Sequence, residues 1–279
     1  MEPIYQRMEQ ELKLRGYSPK TVACYSRALR KFGQHFGTLP DRLDPEDARA
    51  YLLHLIEVRK LSTSLHNQAS AALRFFYGRV LRRPAAKELL PFKRRKRPLP
   101  LVLSRGEVLA LLRAPENPKH RVLLMTLYAG GLRLSEALAL EVRDIDSSLM
   151  RIRIRHGKGG AERYVMLSTK LLESLREYWW QYRPKTWLFP GASKHKPLDS
   201  RTVQRVFERA RKKAGLTKPV TPHTLRHCFA THLLESGAPV PYIQALLGHK
   251  AISTTMLYAR VRADTATSLP SPLDQLMPT

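Results

Sequence analysis

The chain has 279 residues, 43% of them hydrophobic, enough for two ordinary domains with cores of their own and too apolar for a disordered chain. Lys and Arg number 49 against 23 Asp and Glu, a formal net charge of +26 that calls for an anionic partner. Nucleic acid fits, because basic residues run the whole length; a membrane surface selects one concentrated basic face or an apolar span, and no stretch reaches spanning length.

The first part reads as four helices. Ile4, Met8 and Leu12 recur at helical spacing before Gly16. Ser18-Pro19 reads as an N-cap with proline in the first turn, followed by a stripe of Val22, Tyr25, Leu29, Phe32 and Phe36. Asp44-Pro45 repeats the signal ahead of Ala48, Tyr51, Leu52, Leu55 and Ile56. Ser62 opens a fourth helix with Leu65, Ala69, Ala72, Leu73, Phe76 and Val80 expected inward. Together they predict a small helical bundle over 1–81. Residues 82–100, RRPAAKELLPFKRRKRPLP, are basic and proline-rich, the composition of a domain linker; its charge, with Lys93, Arg94 and Arg95, suits crossing a phosphate backbone or a solvated basic tether.

Residues 101–265 are mixed. Ser104 caps a helix with Val108, Leu109 and Leu112, a buried helix over 122–128 ends at Gly130-Gly131, and another carries Leu134, Leu138 and Leu140. Met150, Ile152 and Ile154 alternate with Arg151, Arg153 and Arg155, the period of a half-buried strand. The turn HGKGG follows, and 164–167 return as the second strand of a hairpin. The rest is helical over 171–182, 200–214, 222–236 and 240–247, with a short helix around Tyr258. The helix from Ser200 sets Val203, Val206, Phe207 and Ala210 on one face and Arg201, Arg205, Arg209 and Lys212 on the other, which suits packing on a core with the basic face either against DNA or simply solvated. The fold class is therefore mainly α with a small β-hairpin, an α+β arrangement.

Polar residues cluster at the ends of these apolar elements. GGLRLSEAL puts Arg133 after a glycine pair, the hairpin turn presents Lys158, and TPHTLRH puts His223 and Arg226 three apart on one helix face. ALLGHK puts His249 just past a glycine stop, and TTMLYAR carries Tyr258 nine residues later. Each alone has an ordinary structural reading: a surface arginine, a helix cap, a packing tyrosine. The ordered set resembles the tyrosine recombinase and integrase family, with its Xer, phage-integrase and integron-integrase branches. The resemblance covers nearly the whole chain and is strongest over 219–261, in TKPVTPHTLRHCFATHLLESG, LLGHK and TTMLYARV.

The resemblance implies a helical DNA-clamping domain over 1–81, a linker over 82–100 and a catalytic domain over 101–265. The tail over 266–279, with SPLDQL, resembles family tails that dock on a neighbouring protomer. It implies a site-specific recombinase acting on double-stranded DNA sites as a homotetramer, through a 3′-phosphotyrosyl bond and a Holliday junction, without metal or other cofactor. The expected catalytic residues are Arg133, Lys158, His223, Arg226, His249 and the nucleophile Tyr258; Lys20, Arg201 and Arg205 join Lys93, Arg94 and Arg95 as expected DNA contacts.

The chemistry of these side chains agrees. Planar, always-charged guanidinium groups stabilise charge developing on a phosphate. A phenol is a weak nucleophile until cations favour its ionised form and a base takes its proton. Glu136 is expected to brace Arg133 rather than bind metal. His223 and His227 stand four apart beside Cys228, but the sequence offers no second pair of ligands at zinc spacing. GKGG lacks the full phosphate-loop pattern. A type IB topoisomerase and a DNA-binding protein without activity are the rival readings; the small N-terminal domain and the complete set of six disfavour them. The short 178–189 segment leaves no room for the insertion of integron integrases. Two distant cysteines, Cys24 and Cys228, and the acid-bearing start MEPIYQRMEQ predict a cytoplasmic, DNA-associated protein with neither disulfides nor a secretory signal.

Overall fold

The computed structural model describes residues 3–84, 86–94, 100–155, 162–248 and 255. Two compact units divide the chain, Met1–Arg97 and Pro98–Thr279.

The first unit is built from α1 (Pro3–Leu14), α2 (Pro19–Phe36), α3 (Pro45–Glu57), α4 (Thr63–Phe75) and α5 (Ala86–Leu89), with a π-helical turn over Phe76–Val80. Local chemistry sets the starts. The Ser18 hydroxyl accepts the Thr21 N–H at 3.3 Å, and Asp44 and Asp47 exchange two backbone bonds, each 2.9 Å. The expected stripes bury Met8, Leu12, Leu29, Phe32, Ala48 and Leu73, while Phe36 is exposed at the end of its helix. From α4 onward the expected Ala72, Leu73, Phe76 and Val80 are buried, but Leu65 is exposed, and His66 and Ser70 are buried beside the expected face. The returning chain explains this. Ser70 donates to the Leu90 carbonyl at 3.0 Å, and the Asn67 amide brackets the Lys93 backbone at 2.8 and 2.9 Å. A helix face that must satisfy passing carbonyls is polar, and no apolar periodicity reports it. Within the proline-rich stretch, the turn of α5 brings Ala86 and Leu90 into this core.

The second unit holds α6 (Arg105–Arg113), α7 (Pro118–Ala129), α8 (Leu134–Leu138), β1 (Ile145–Asp146), β2 (Arg151–Ile154) and β3 (Arg163–Met166), then α9 (Thr169–Tyr182), α10 (Ser200–Lys213), α11 (Pro222–Glu235) and α12 (Val240–Leu247). Helix α7 is central. It buries Val122, Leu123, Leu124, Thr126 and Leu127 and packs against both α9 and α11. In α6, capped by Ser104 and Glu107, the inward residues are Val108 and Leu111, whereas Leu109 is exposed, because the helix rests on α7, α10 and α11. The sheet is antiparallel in the order β1-β2-β3, with Ile152 opposite Val165 and Ile154 opposite Arg163. Strand β1 adds to the expected hairpin; two residues are too few to carry a periodic signal. Helix α10 buries Val203, Val206, Phe207 and Ala210 and exposes Arg201, Arg205 and Arg209. Among the described residues no helix is long and apolar enough to cross a membrane.

Candidate active site

Two glycines shape the site. Gly131, just past α7, has φ +57, and a Cβ there would lie 2.3 Å from Cδ1 of Phe229. The backbone therefore turns tightly against α11 in a conformation that glycine adopts without strain. The turn delivers Arg133 to the start of α8. Gly248 ends α12 at φ +60, and a Cβ there would lie 3.1 Å from Cδ of Arg163. Its freedom lets the helix stop with its last carbonyls available as acceptors.

Arginines from three elements meet one carboxylate. The Glu136 carboxylate accepts from the Arg133 backbone N–H at 2.9 Å and from Arg133 Nη1 at 2.6 Å. Arg163, on β3, donates to both Glu136 oxygens at 3.0 and 2.8 Å. Arg226 Nη1, on α11, lies 3.7 Å from the same carboxylate. Arg226 also donates to the Gly131 carbonyl at 2.8 Å and to the Leu247 carbonyl at 2.5 Å, while Arg163 Nε donates to the Leu246 carbonyl at 2.8 Å. The end of α12, the partly negative end of a helix, thus receives two guanidinium groups.

Exposure is graded. The side chains of Arg226 and Glu136 are 1% and 2% exposed, Arg163 is 11% and Arg133 is 23%. Three positive charges against one negative make the cluster cationic, with Arg133 as its most accessible member. Burial opposes ionisation of Glu136, but hydrogen bonds from Arg163 and the Arg133 backbone, reinforced by their charge, hold its pKa at about 2. His223, in the first turn of α11, is solvent-accessible, yet the protein around it desolvates it, and the charges of Arg226 and Arg133 lower its basicity further against the opposing pull of Glu136. These effects favour its neutral imidazole form, the one able to accept a proton. His227 packs edge-on to it, centroids 4.6 Å apart, and burial, then His223 and Arg226, bring its pKa to about 4.

The sequence profile of the phage integrase family matches residues 102–264, and that of the phage integrase N-terminal SAM-like domain matches residues 4–87. The chain belongs to the phage integrase, or tyrosine recombinase, family. Its members cleave and rejoin DNA. The protein y4qK of Sinorhizobium fredii, named as an integrase/recombinase, is 44% identical over 277 residues, covering 99% of this chain and 90% of that protein. The tyrosine recombinase XerC of Pelobacter propionicus is 36% identical over 270 residues, covering 90% of this chain and 87% of that one. In fold, the chain is similar to the XerH site-specific recombinase bound to its difH substrate, with a TM-score of 0.73, 21% identity, and coverage of 96% of this chain and 85% of that one.

Of the six residues expected to act in this recombinase, the structure brings Arg133, His223 and Arg226 together around Glu136; Lys158, His249 and Tyr258 lie outside the described residues. Glu136 is a brace, as the sequence suggested. Arg163 was missed. Its signal was strand alternation: it shares a face of β3 with the buried Val165, where a charged residue needs a partner. Cys228 is buried, its Sγ accepting the Leu103 N–H at 3.2 Å, and His232 bridges the Tyr128 hydroxyl at 2.9 Å and the Leu103 carbonyl at 3.0 Å. Among the described residues no group of three His, Cys, Asp or Glu side chains is placed to hold a metal ion. Of the expected DNA contacts, Lys20, Lys93, Arg94, Arg201 and Arg205 are exposed, and Arg95 lies outside the described residues.

Proposed function

We propose that this chain is a site-specific recombinase that cuts duplex DNA by attack of Tyr258 on a phosphate held by Arg133 and Arg226. The observation that carries this reading is the buried Glu136 carboxylate, which orients Arg133 beside Arg226 at the edge where His223 stands. The guanidinium groups stabilise charge on the nonbridging oxygens. Neutral His223 takes the Tyr258 proton, His249 donates a further hydrogen bond to the phosphate, and Lys158 protonates the departing 5′-oxygen. The phosphorus exchanges its bond to the 5′-oxygen for one to the tyrosine, giving a 3′-phosphotyrosyl link. That link conserves the energy for rejoining, so no ATP is needed, and the guanidinium groups supply the positive charge that a metal ion supplies in other phosphoryl transfers. Lys158, His249 and Tyr258 enter through the sequence motifs, and all three fall within residues 102–264, the span that the family profile matches.

Four protomers on two DNA sites exchange strands in pairs through a Holliday junction. Lys20, Lys93, Arg94, Arg95, Arg201 and Arg205 contact the phosphate backbone, and the protein works in the cytoplasm on DNA. The DNA-bound state of the XerH homologue supports the DNA partner. The test is a nicked suicide duplex carrying a site recovered by covalent capture from a random pool. Wild type gives a covalent adduct and joins two sites, and Tyr258→Phe gives no adduct. An undiminished adduct with Tyr258→Phe would sink the mechanism, and adducts without joining of two sites would favour a topoisomerase.

A further inference from the structure

Arg163 is placed unlike the other arginines of the site. It sits on β3, paired across from Ile154, and spends three donors within the protein, two on Glu136 and one on the Leu246 carbonyl. Its side chain is 11% exposed and lies across Gly248, where a Cβ would come within 3.1 Å. It shares the Glu136 Oε1 atom with Arg133, whose bond there is 2.6 Å against 3.0 Å for Arg163. Without Arg163 the carboxylate is tied to Arg133 alone, by one backbone N–H on one oxygen and the guanidinium on the other, so it can still swivel about the backbone bond and carry the guanidinium with it. A second, bidentate fork from a strand removes that freedom.

We propose that Arg163 is a positioning residue for DNA cleavage: by gripping both oxygens of Glu136 it fixes the platform that sets the Arg133 guanidinium against the scissile phosphate. It does not touch DNA itself. The same side chain ties β3 to the end of α12, so the platform is registered to the helix end that also receives Arg226. Lysine cannot reproduce it, since an ammonium has no planar fork to span both oxygens. The proposal rests on the reading of Arg133 as a phosphate clamp.

Its test is a double-mutant cycle on the full-length protein, read as the single-turnover rate of covalent adduct formation on the nicked duplex described above. In the wild-type background, Arg163→Gln slows adduct formation by about 10²-fold, the scale of a misplacement near 1 Å. In the Arg133→Ala background the same substitution costs no more than about twofold, because the group it positions is already gone. Affinity for the intact site, measured by mobility shift, is unchanged in the single variant. Arg163→Lys, which keeps the charge and guards against a failure to fold, shows the same background dependence with a smaller loss. Equal losses in both backgrounds, or a wild-type rate for Arg163→Gln, would overturn the role of Arg163 alone. Wild-type cleavage by Arg133→Ala would overturn the clamp assignment and this proposal with it.

Discussion

The Arg226 guanidinium donates to the Gly131 carbonyl at 2.8 Å, across 95 residues of sequence. One of the two arginines proposed to hold the phosphate is thereby bound to the backbone of the very turn that delivers the other, Arg133. The turn and the clamp are one construction, and its weak point is the glycine.

Gly131→Ala tests this. The new Cβ meets Phe229 at 2.3 Å in a backbone conformation with φ +57. Left-handed strain adds roughly 1 kcal/mol and overpacking roughly 1–3 kcal/mol. Urea unfolding should show a loss of about 2–4 kcal/mol, and adduct formation should fall with it because the Gly131 carbonyl moves. Gly215→Ala, equally left-handed at φ +68 but with nothing within 4 Å of its Cβ, should show only the strain.

Glu136 makes stability depend on acid. Its folded pKa of about 2 lies below the usual 4.5, so the stabilisation is complete above pH 4.5 and is lost as pH falls toward 2. The effect is on the order of 3 kcal/mol. Glu136→Gln should cost about 3–5 kcal/mol at pH 7, because it leaves buried guanidinium groups without their carboxylate. It should also flatten the acid limb of the thermal midpoint between pH 5 and 3. An acid limb as steep in the variant as in the wild type would assign the dependence to other carboxylates.

His223 has a lowered pKa, so its neutral, proton-accepting form persists below the usual 6.5. The single-turnover cleavage rate should fall with acid through a midpoint below 6.5. His223→Gln should lose roughly 10²-fold in rate and the histidine-dependent part of that decline. A midpoint at or above 6.5 in the wild type would count against His223 as the base.

The exposed arginines of α10 should act through phosphates and not through chemistry. Arg201→Ala and Arg205→Ala are each expected to lower DNA affinity and to reduce the slope of log affinity against log salt by about 1. The adduct rate at saturating protein should stay unchanged. A rate loss with an unaltered salt slope would remove these residues from the DNA interface.

By itself the sequence determined most of the helices and several of their starts and stops, and it supplied the residues proposed to react. Caps at Ser18, Asp44, Ser62 and Ser104 and the stop at Gly248 act within about four residues, which is why they are legible without a fold. The order of Arg133, Lys158, His223, Arg226, His249 and Tyr258 is equally a property of the chain as written.

Only the tertiary structure decided what those groups rest on. Arg163 reaches Glu136 from 27 residues away, Arg226 reaches Gly131 from 95, and α4 turns a polar face inward because the chain returning past Leu90 needs donors. Periodicity reports the average environment of an element's face, not which distant carbonyl or carboxylate will stand opposite one side chain. For a buried guanidinium that partner fixes both the cost of burial and the direction in which the charge points.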